Sequence, residues 1–148
     1  MEEWAIKALG CIKCGGDLNE SHENLTCQKC GKKYPIVDNI PRFVELENYA
    51  DSFGFQWNLF NKTQHDKYNK YNHSKKRFEA ETSWEDTDLE NNIVLDAGCG
   101  SGRFTEIALS KGAKVIALDL SNAVESCYNN MIELGYDESS FIVIQASF

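Results

Sequence analysis

The chain is short of basic charge, histidine and long apolar runs, and each shortage excludes a class of function. Lysine and arginine total 15 against 23 aspartates and glutamates, a formal charge of −8 spread without a basic cluster. That field repels a phosphate backbone, so direct nucleic-acid binding is not expected. No apolar segment approaches the roughly 18 residues of a membrane span. The acidic start "MEEWAIKALG" also lacks the basic region of a secretory signal. A cytoplasmic protein without membrane association is the expectation. A serine-hydrolase elbow and an HExxH zinc helix are missing as well. The three histidines, His22, His65 and His73, sit singly among polar residues and read as solvated surface groups. Apolar residues at 42% and charged residues at 26% are ordinary for a globular chain. A length of 148 residues admits one domain, or a small module with part of a larger one.

Cysteine is plentiful. Six cysteines without an export signal suggest metal ligands or buried thiols rather than disulfides. Cys11 and Cys14 form one CxxC pair, and Cys27 and Cys30 form a second. A two-residue gap lets both thiolates of a tight turn face one ion, and two such turns close a tetrahedral shell. Glycine follows each pair, in "CIKCGG" and "CQKCGKKY", where the turn needs backbone freedom. The pattern predicts structural zinc on Cys11, Cys14, Cys27 and Cys30, with a redox dithiol pair or packing cysteines as the alternatives. A module this short buries too little apolar surface to stand alone, so metal binding would contribute to its folding. Downstream, "KKYPIVDNIPRFV" reads as an extended edge segment, because Pro35 and Pro41 bar helix and Tyr34, Ile36, Val37 and Ile40 favour strand. Residues 9–45 resemble the zinc-ribbon module that activates some tRNA and translation-factor methyltransferases and is fused to the front of others.

Residues 46–91 form a connecting segment. Its first part contains Phe53, Phe55, Trp57, Phe60, Tyr68 and Tyr71, too many aromatics for a free linker. Helices broken at Gly54 and near Asn72 are expected. They either cap the ligand site of the next domain or simply join two modules.

From residue 92 the chain alternates regularly. "IVLDAG" reads as a buried strand, "RFTEIALSKG" as a helix, "KVIALDL" as a strand, "NAVESCYNNMIELG" as a helix and "SFIVIQASF" as a third strand. Asn122 and Glu125 have the spacing of a capping box, and Val124, Cys127, Tyr128 and Met131 share a helical face, which makes Cys127 a core residue. Short connections between these elements imply a parallel sheet, whose ligands bind at the carboxyl ends of the strands. "DAGCGSG" falls at such an end. It fits neither the dinucleotide frame GxGxxG, since the sixth positions are Arg103 and Thr105, nor a triphosphate loop, which needs GK followed by Ser or Thr. What remains is DxGxGxG and a second acid, Asp119, ending the next strand. A carboxylate there can accept both hydroxyls of a ribose, and Asp96 makes the turn unfriendly to phosphate. A cationic ligand without phosphates fits better.

The block "VLDAGCGSGRFTEIALSKGAKVIALDLS" resembles the cofactor-binding half of class I S-adenosylmethionine-dependent methyltransferases. The resemblance implies that Asp96, Gly98, Gly100 and Gly102 lie along the methionine end, that the Gly98–Cys99 backbone lines the pocket with Ala97 also among the cofactor-binding residues, that Asp119 binds ribose and that Leu120 flanks adenine. Where many members carry an acid for the adenine amino group, this chain has Ser147, a weaker acceptor. The chain as a whole resembles methyltransferases with an amino-terminal ribbon, whose acceptors are mostly small molecules or sugar-like metabolites. The implied fold is α/β: a small β zinc ribbon over 1–45, the connecting segment, and over 92–148 the first three strands of a methyltransferase-type sandwich. The resemblance further implies a carboxy-terminally truncated enzyme, inactive or weak alone, whose first strand is an apolar edge that a protein partner could cover. A non-catalytic ribbon adaptor that activates a partner methyltransferase is the alternative. No general base is named, because methyl transfer needs alignment of the acceptor more than a universal catalytic group.

Overall fold

A computed structural model describes residues 1–44 and 72–147. Gly54, His65 and the aromatic residues from Phe53 to Tyr71 lie outside the described residues.

Helix α1 (Glu3–Ala8) leads into an antiparallel sheet of β1 (Leu18–Glu20), β2 (Asn24–Cys27), β3 (Lys33–Val37) and β4 (Ile40–Pro41), in that spatial order. The segment read as extended is in fact a hairpin. Asp38 and Asn39, at φ 51° and 64°, form a two-residue turn between Val37 and Ile40. Two left-handed residues match the twist of the flanking strands, and Asp and Asn tolerate that conformation. Leu25 and Tyr34 pair across β2 and β3 and are buried at the centre of this sheet.

Helices α2 (His73–Thr82) and α3 (Asp86–Leu89) follow, the first with Asn72 at its N-cap position; the chain before Asn72, where a preceding helix is expected, lies outside the described residues. The alternating part then runs β5 (Ile93–Ala97), α4 (Arg103–Ser110), β6 (Lys114–Asp119), α5 (Ala123–Glu133) and β7 (Phe141–Gln145). Strands β5, β6 and β7 pair in parallel with β6 in the middle. One sheet face carries Val94, Val115, Ala117 and Val143, packed against Ile107 of α4, and Val124, Cys127 and Met131 of α5. Phe78 of α2 and Leu89 of α3 extend that core. Cys127 is fully buried there, as its helical face requires. The opposite face, with Ile116, Ile142 and Ile144, is covered by Ala5 and Trp4 of α1.

Two local expectations are corrected. Strand β5 is not buried on both faces: Ile93 and Leu95 are 53% and 59% exposed, and among the described residues the strand pairs only with β6. The other correction concerns the cap of α5, where Asn122 makes no side-chain cap to the helix. Its Oδ1 accepts from Gln145, and Glu125 turns instead to Arg42. Tertiary partners outbid the local pattern. A reciprocal contact does occur at α3, where the Glu85 N–H donates to Asp88 at 2.8 Å.

The two sheets meet along β7. Arg42, just after β4, bridges Gln145 in parallel, and the Phe43 N–H donates to the Gln145 carbonyl at 2.8 Å. Phe43 and Tyr34 stack with ring centroids 4.5 Å apart, in a core that also takes in Leu118 and Ala146.

Candidate functional site

The four amino-terminal cysteines converge. Their sulfurs all lie within 4.8 Å of one another, with Cys11–Cys30 at 3.6 Å and Cys14–Cys27 at 3.5 Å. Tetrahedral zinc–sulfur bonds of about 2.3 Å put sulfurs about 3.8 Å apart, so the set fits a closed zinc site. Each CxxC turn is closed by its glycine: the Gly15 N–H donates to the Cys11 carbonyl and the Gly31 N–H to the Cys27 carbonyl. The cluster also has a neighbour that spacing did not reveal. The hydroxyl of buried Tyr34 is 3.1 Å from the Cys11 sulfur. That bond is the largest cause lowering the Cys11 thiol to about 6. Tyr34 itself is pushed up to about 12, by burial first and by Cys11 next.

The glycine turn stands at the carboxyl ends of β5 and β6, and the sheet explains why. Gly98 and Cys99 N–H groups both donate to the Leu118 carbonyl, at 2.7 and 3.0 Å, continuing the parallel ladder past β5. The chain then folds back, and the Gly100 N–H donates to Asp119 Oδ2 at 3.0 Å. Asp119 Oδ1 accepts from both the backbone N–H and the hydroxyl of Ser121, each at 2.8 Å. Both oxygens are thereby fixed in direction, and with two bonds on Oδ1 and one on Oδ2 the lone pair left for a ligand is on Oδ2. On the far side, Asn130 donates to the Ser101 carbonyl at 2.9 Å and ties the turn to α5.

The glycines divide by role. A Cβ at Gly98, φ 82°, would meet nothing within 4 Å, so the missing side chain leaves open space at the strand end. At Gly102, φ 91°, a Cβ would lie 2.8 Å from the Cys127 sulfur, so glycine there allows α4 to pack on α5. Asp96 is half-buried and accepts from the Thr105 hydroxyl at 2.6 Å. Burial, its largest influence, raises its carboxyl above the ordinary value. The Cys99 thiol is pushed well above its usual range, first by Cys127 and then by burial, which makes it an unreactive packing group.

Ala97 and Gly98 are therefore exposed at the strand end, Asp119 and Leu120 are half-exposed beside them, and Ser147 is exposed just past β7. Cys99, Gly100 and Gly102 form the buried underside of the turn. Thr105, Ser121 and Gln145, which hold the two acids and the following loop, were not identified from the sequence. Ser121 lies inside the quoted motif block, but Gln145 carries no local signal.

A family model described as "Methyltransferase domain" matches residues 95–145, from the middle of β5 to the end of β7 with the whole glycine turn between them. This parallel part of the chain is thus of the methyltransferase-domain kind, preceded by a four-cysteine cluster that could hold a metal. No curated protein matches the chain. Among the described residues, no helix is long and apolar enough to cross a membrane.

Proposed function

We propose that the chain binds S-adenosylmethionine at the β5–β6 strand ends and serves methyl transfer to a small-molecule or sugar-like acceptor. The observation that carries this reading is the Gly98–Gly100–Asp119 arrangement: open space at Gly98 beside an acid held in place by Gly100 and Ser121. Asp119 would bind the ribose, Leu120 would flank adenine, Asp96 would lie along the methionine end, and the backbone of Gly98 and Cys99 would line the pocket beside Ala97. Gly100 and Gly102 shape the turn, and Ser147 would face the adenine edge. Two carboxylates and no lysine in this set suit a cationic ligand. The cofactor supplies an activated methyl group on its sulfonium sulfur, and the protein's task is to hold and orient it.

The four cysteines would hold zinc as a structural ion, since four thiolates leave no open position for water. In this division of labour 1–45 is the metal-held module, 46–91 the connecting segment and 92–148 the cofactor-binding part, with the sandwich of the methyltransferase family as its architecture. A cavity of ≈330 Å³ beside Asp96, lined by Phe78, Trp84, Leu95 and Phe104, is of small-molecule size and supports an acceptor of that class. Six free cysteines suit the reducing cytoplasm.

The second reading, a non-catalytic adaptor, draws support from the exposed Ile93 and Leu95 on β5, which a protein partner could cover. Ligand-induced stabilisation separates the two, because a ligand that binds only the folded state raises its melting temperature. S-adenosylmethionine or S-adenosylhomocysteine is expected to raise the melting temperature of the zinc-loaded chain, with NAD and ATP inert. No shift with either adenosyl compound favours the adaptor.

A further inference from the structure

Arg42 belongs to the ribbon, yet its guanidinium is buried, at 3% exposure. Nη1 donates to Oε1 of Gln145 at 2.9 Å, and Nη2 to Oε1 of Glu125 at 3.2 Å. The two acceptors are unequal. The Glu125 side chain is 43% exposed, so water competes for it, whereas Gln145 is 2% exposed. On the other side of that carboxamide, Nε2 of Gln145 donates to the Leu120 carbonyl at 2.9 Å and to Asn122 Oδ1 at 3.2 Å. A guanidinium only donates and a carbonyl only accepts. Gln145 is the group that fits between them, and Arg42 decides which way its amide faces.

The place of this link matters. Leu120 to Asn122 is the loop directly after Asp119, and Gln145 is the register partner of Asp119 on the neighbouring strand. As a stabilising device the arrangement is poor, since Arg42 Nε is buried without a hydrogen-bond partner among the described residues. An apolar side chain of similar length would fill the same space without that desolvation. What it could not do is orient Gln145.

We propose that Arg42 is a positioning residue of the cofactor site. Acting through Gln145, it sets the Leu120–Asn122 loop and with it Asp119, so a ribbon side chain controls cofactor affinity. The proposal rests on the reading of Asp119 and Leu120 as the ribose and adenine side of an S-adenosylmethionine site.

Two variants of the full, zinc-loaded chain test it by calorimetric titration with S-adenosylmethionine and by amide hydrogen exchange across residues 119–123. Arg42→Met is expected to weaken binding about tenfold, the worth of roughly one buried hydrogen bond, and to speed exchange in the loop while zinc content stays unchanged. Gln145→Glu separates positioning from stability. A carboxylate pairs better with Arg42 but sets its second oxygen against the Leu120 carbonyl and Asn122. Positioning therefore predicts weaker cofactor binding and faster loop exchange in the folded variant, whereas a merely structural link through Arg42 predicts binding unchanged or improved. Folded variants that both bind within twofold of the parent, with unchanged exchange, overturn the proposal. If Arg42→Met does not fold, Gln145→Glu decides. If the parent itself binds no S-adenosylmethionine, the cofactor reading fails separately. Loop exchange in the variants then decides the positioning claim, faster exchange upholding it and unchanged exchange overturning it.

Discussion

The backbone N–H of Gly100 donates to Asp119 Oδ2 across 3.0 Å, joining the glycine turn after β5 to the acid that ends β6. The turn and the acid are thus one unit, and a change in either should be felt by the other. Asp119→Asn keeps one oxygen but places an NH₂ on the other. Where that NH₂ meets the Gly100 N–H, two donors face each other and the bond is lost, and toward the ribose the negative charge is gone. A fall in S-adenosylmethionine affinity of roughly tenfold or more follows from losing one charge-assisted bond, and equilibrium dialysis measures it.

The glycines should separate stability from binding. Gly102→Ala forces a left-handed backbone and pushes a methyl group against Cys127, so it should lower stability by about 1–2 kcal/mol for the backbone and about 1–3 kcal/mol for overpacking. Gly98→Ala meets only the backbone cost, because its Cβ enters open space, but that space is where the ligand would lie. Urea unfolding and cofactor titration of both variants should rank them in opposite orders. Equal effects on stability and binding would contradict this assignment.

Tyr34 should govern how tightly zinc is kept. Tyr34→Phe removes the hydroxyl from the Cys11 sulfur, and loss of such a supporting bond costs about 10–100-fold in metal affinity. The sign with pH is fixed as well. The Tyr34 bond, chiefly, brings Cys11 down to about 6, and protons compete with zinc for the thiolate. Without the hydroxyl the thiol rises, so the variant should release zinc at a higher pH than the parent. A chelator competition series across pH reads the midpoint, and coincident curves would contradict the role.

Asp96 should make stability fall as pH rises. Burial lifts its carboxyl above 3.8 in the folded state, so between 3.8 and the raised value the folded chain binds more protons than the unfolded one. Its stability contribution is present below that window and lost above it. Asp96→Asn, which leaves an oxygen for Thr105, is expected to match the parent at low pH and exceed its stability above the window. Unfolding curves over a pH series test this, and a stability difference independent of pH would rule it out.

What was legible in the sequence follows from range. The cysteine pairs, the glycine turn and the strand–helix alternation are local patterns, and each appears where its spacing puts it. Helix α1 has six residues, too few to display a period, and it is identified only by the sheet face it covers. Ile93, Val94 and Leu95 look equally buried in sequence, yet only Val94 faces the helices. Asn122 and Glu125 matched a cap by spacing, but their partners come from Gln145 and Arg42, residues distant in the chain. Ser121, which holds Asp119, and Gln145, which holds the loop after it, were missed in the same way, since hydroxyls and amides become informative only when the strands bring them together.

Asp119 is the proposed anchor of the S-adenosylmethionine site. Isothermal titration of S-adenosylmethionine into the zinc-loaded chain and into Asp119→Ala tests it most directly. Binding by the parent is expected in the micromolar range, about 10⁻⁶ M or −8 kcal/mol, and the substitution should abolish it while the zinc content is retained. Equal binding by both proteins, or none by the parent, would contradict it.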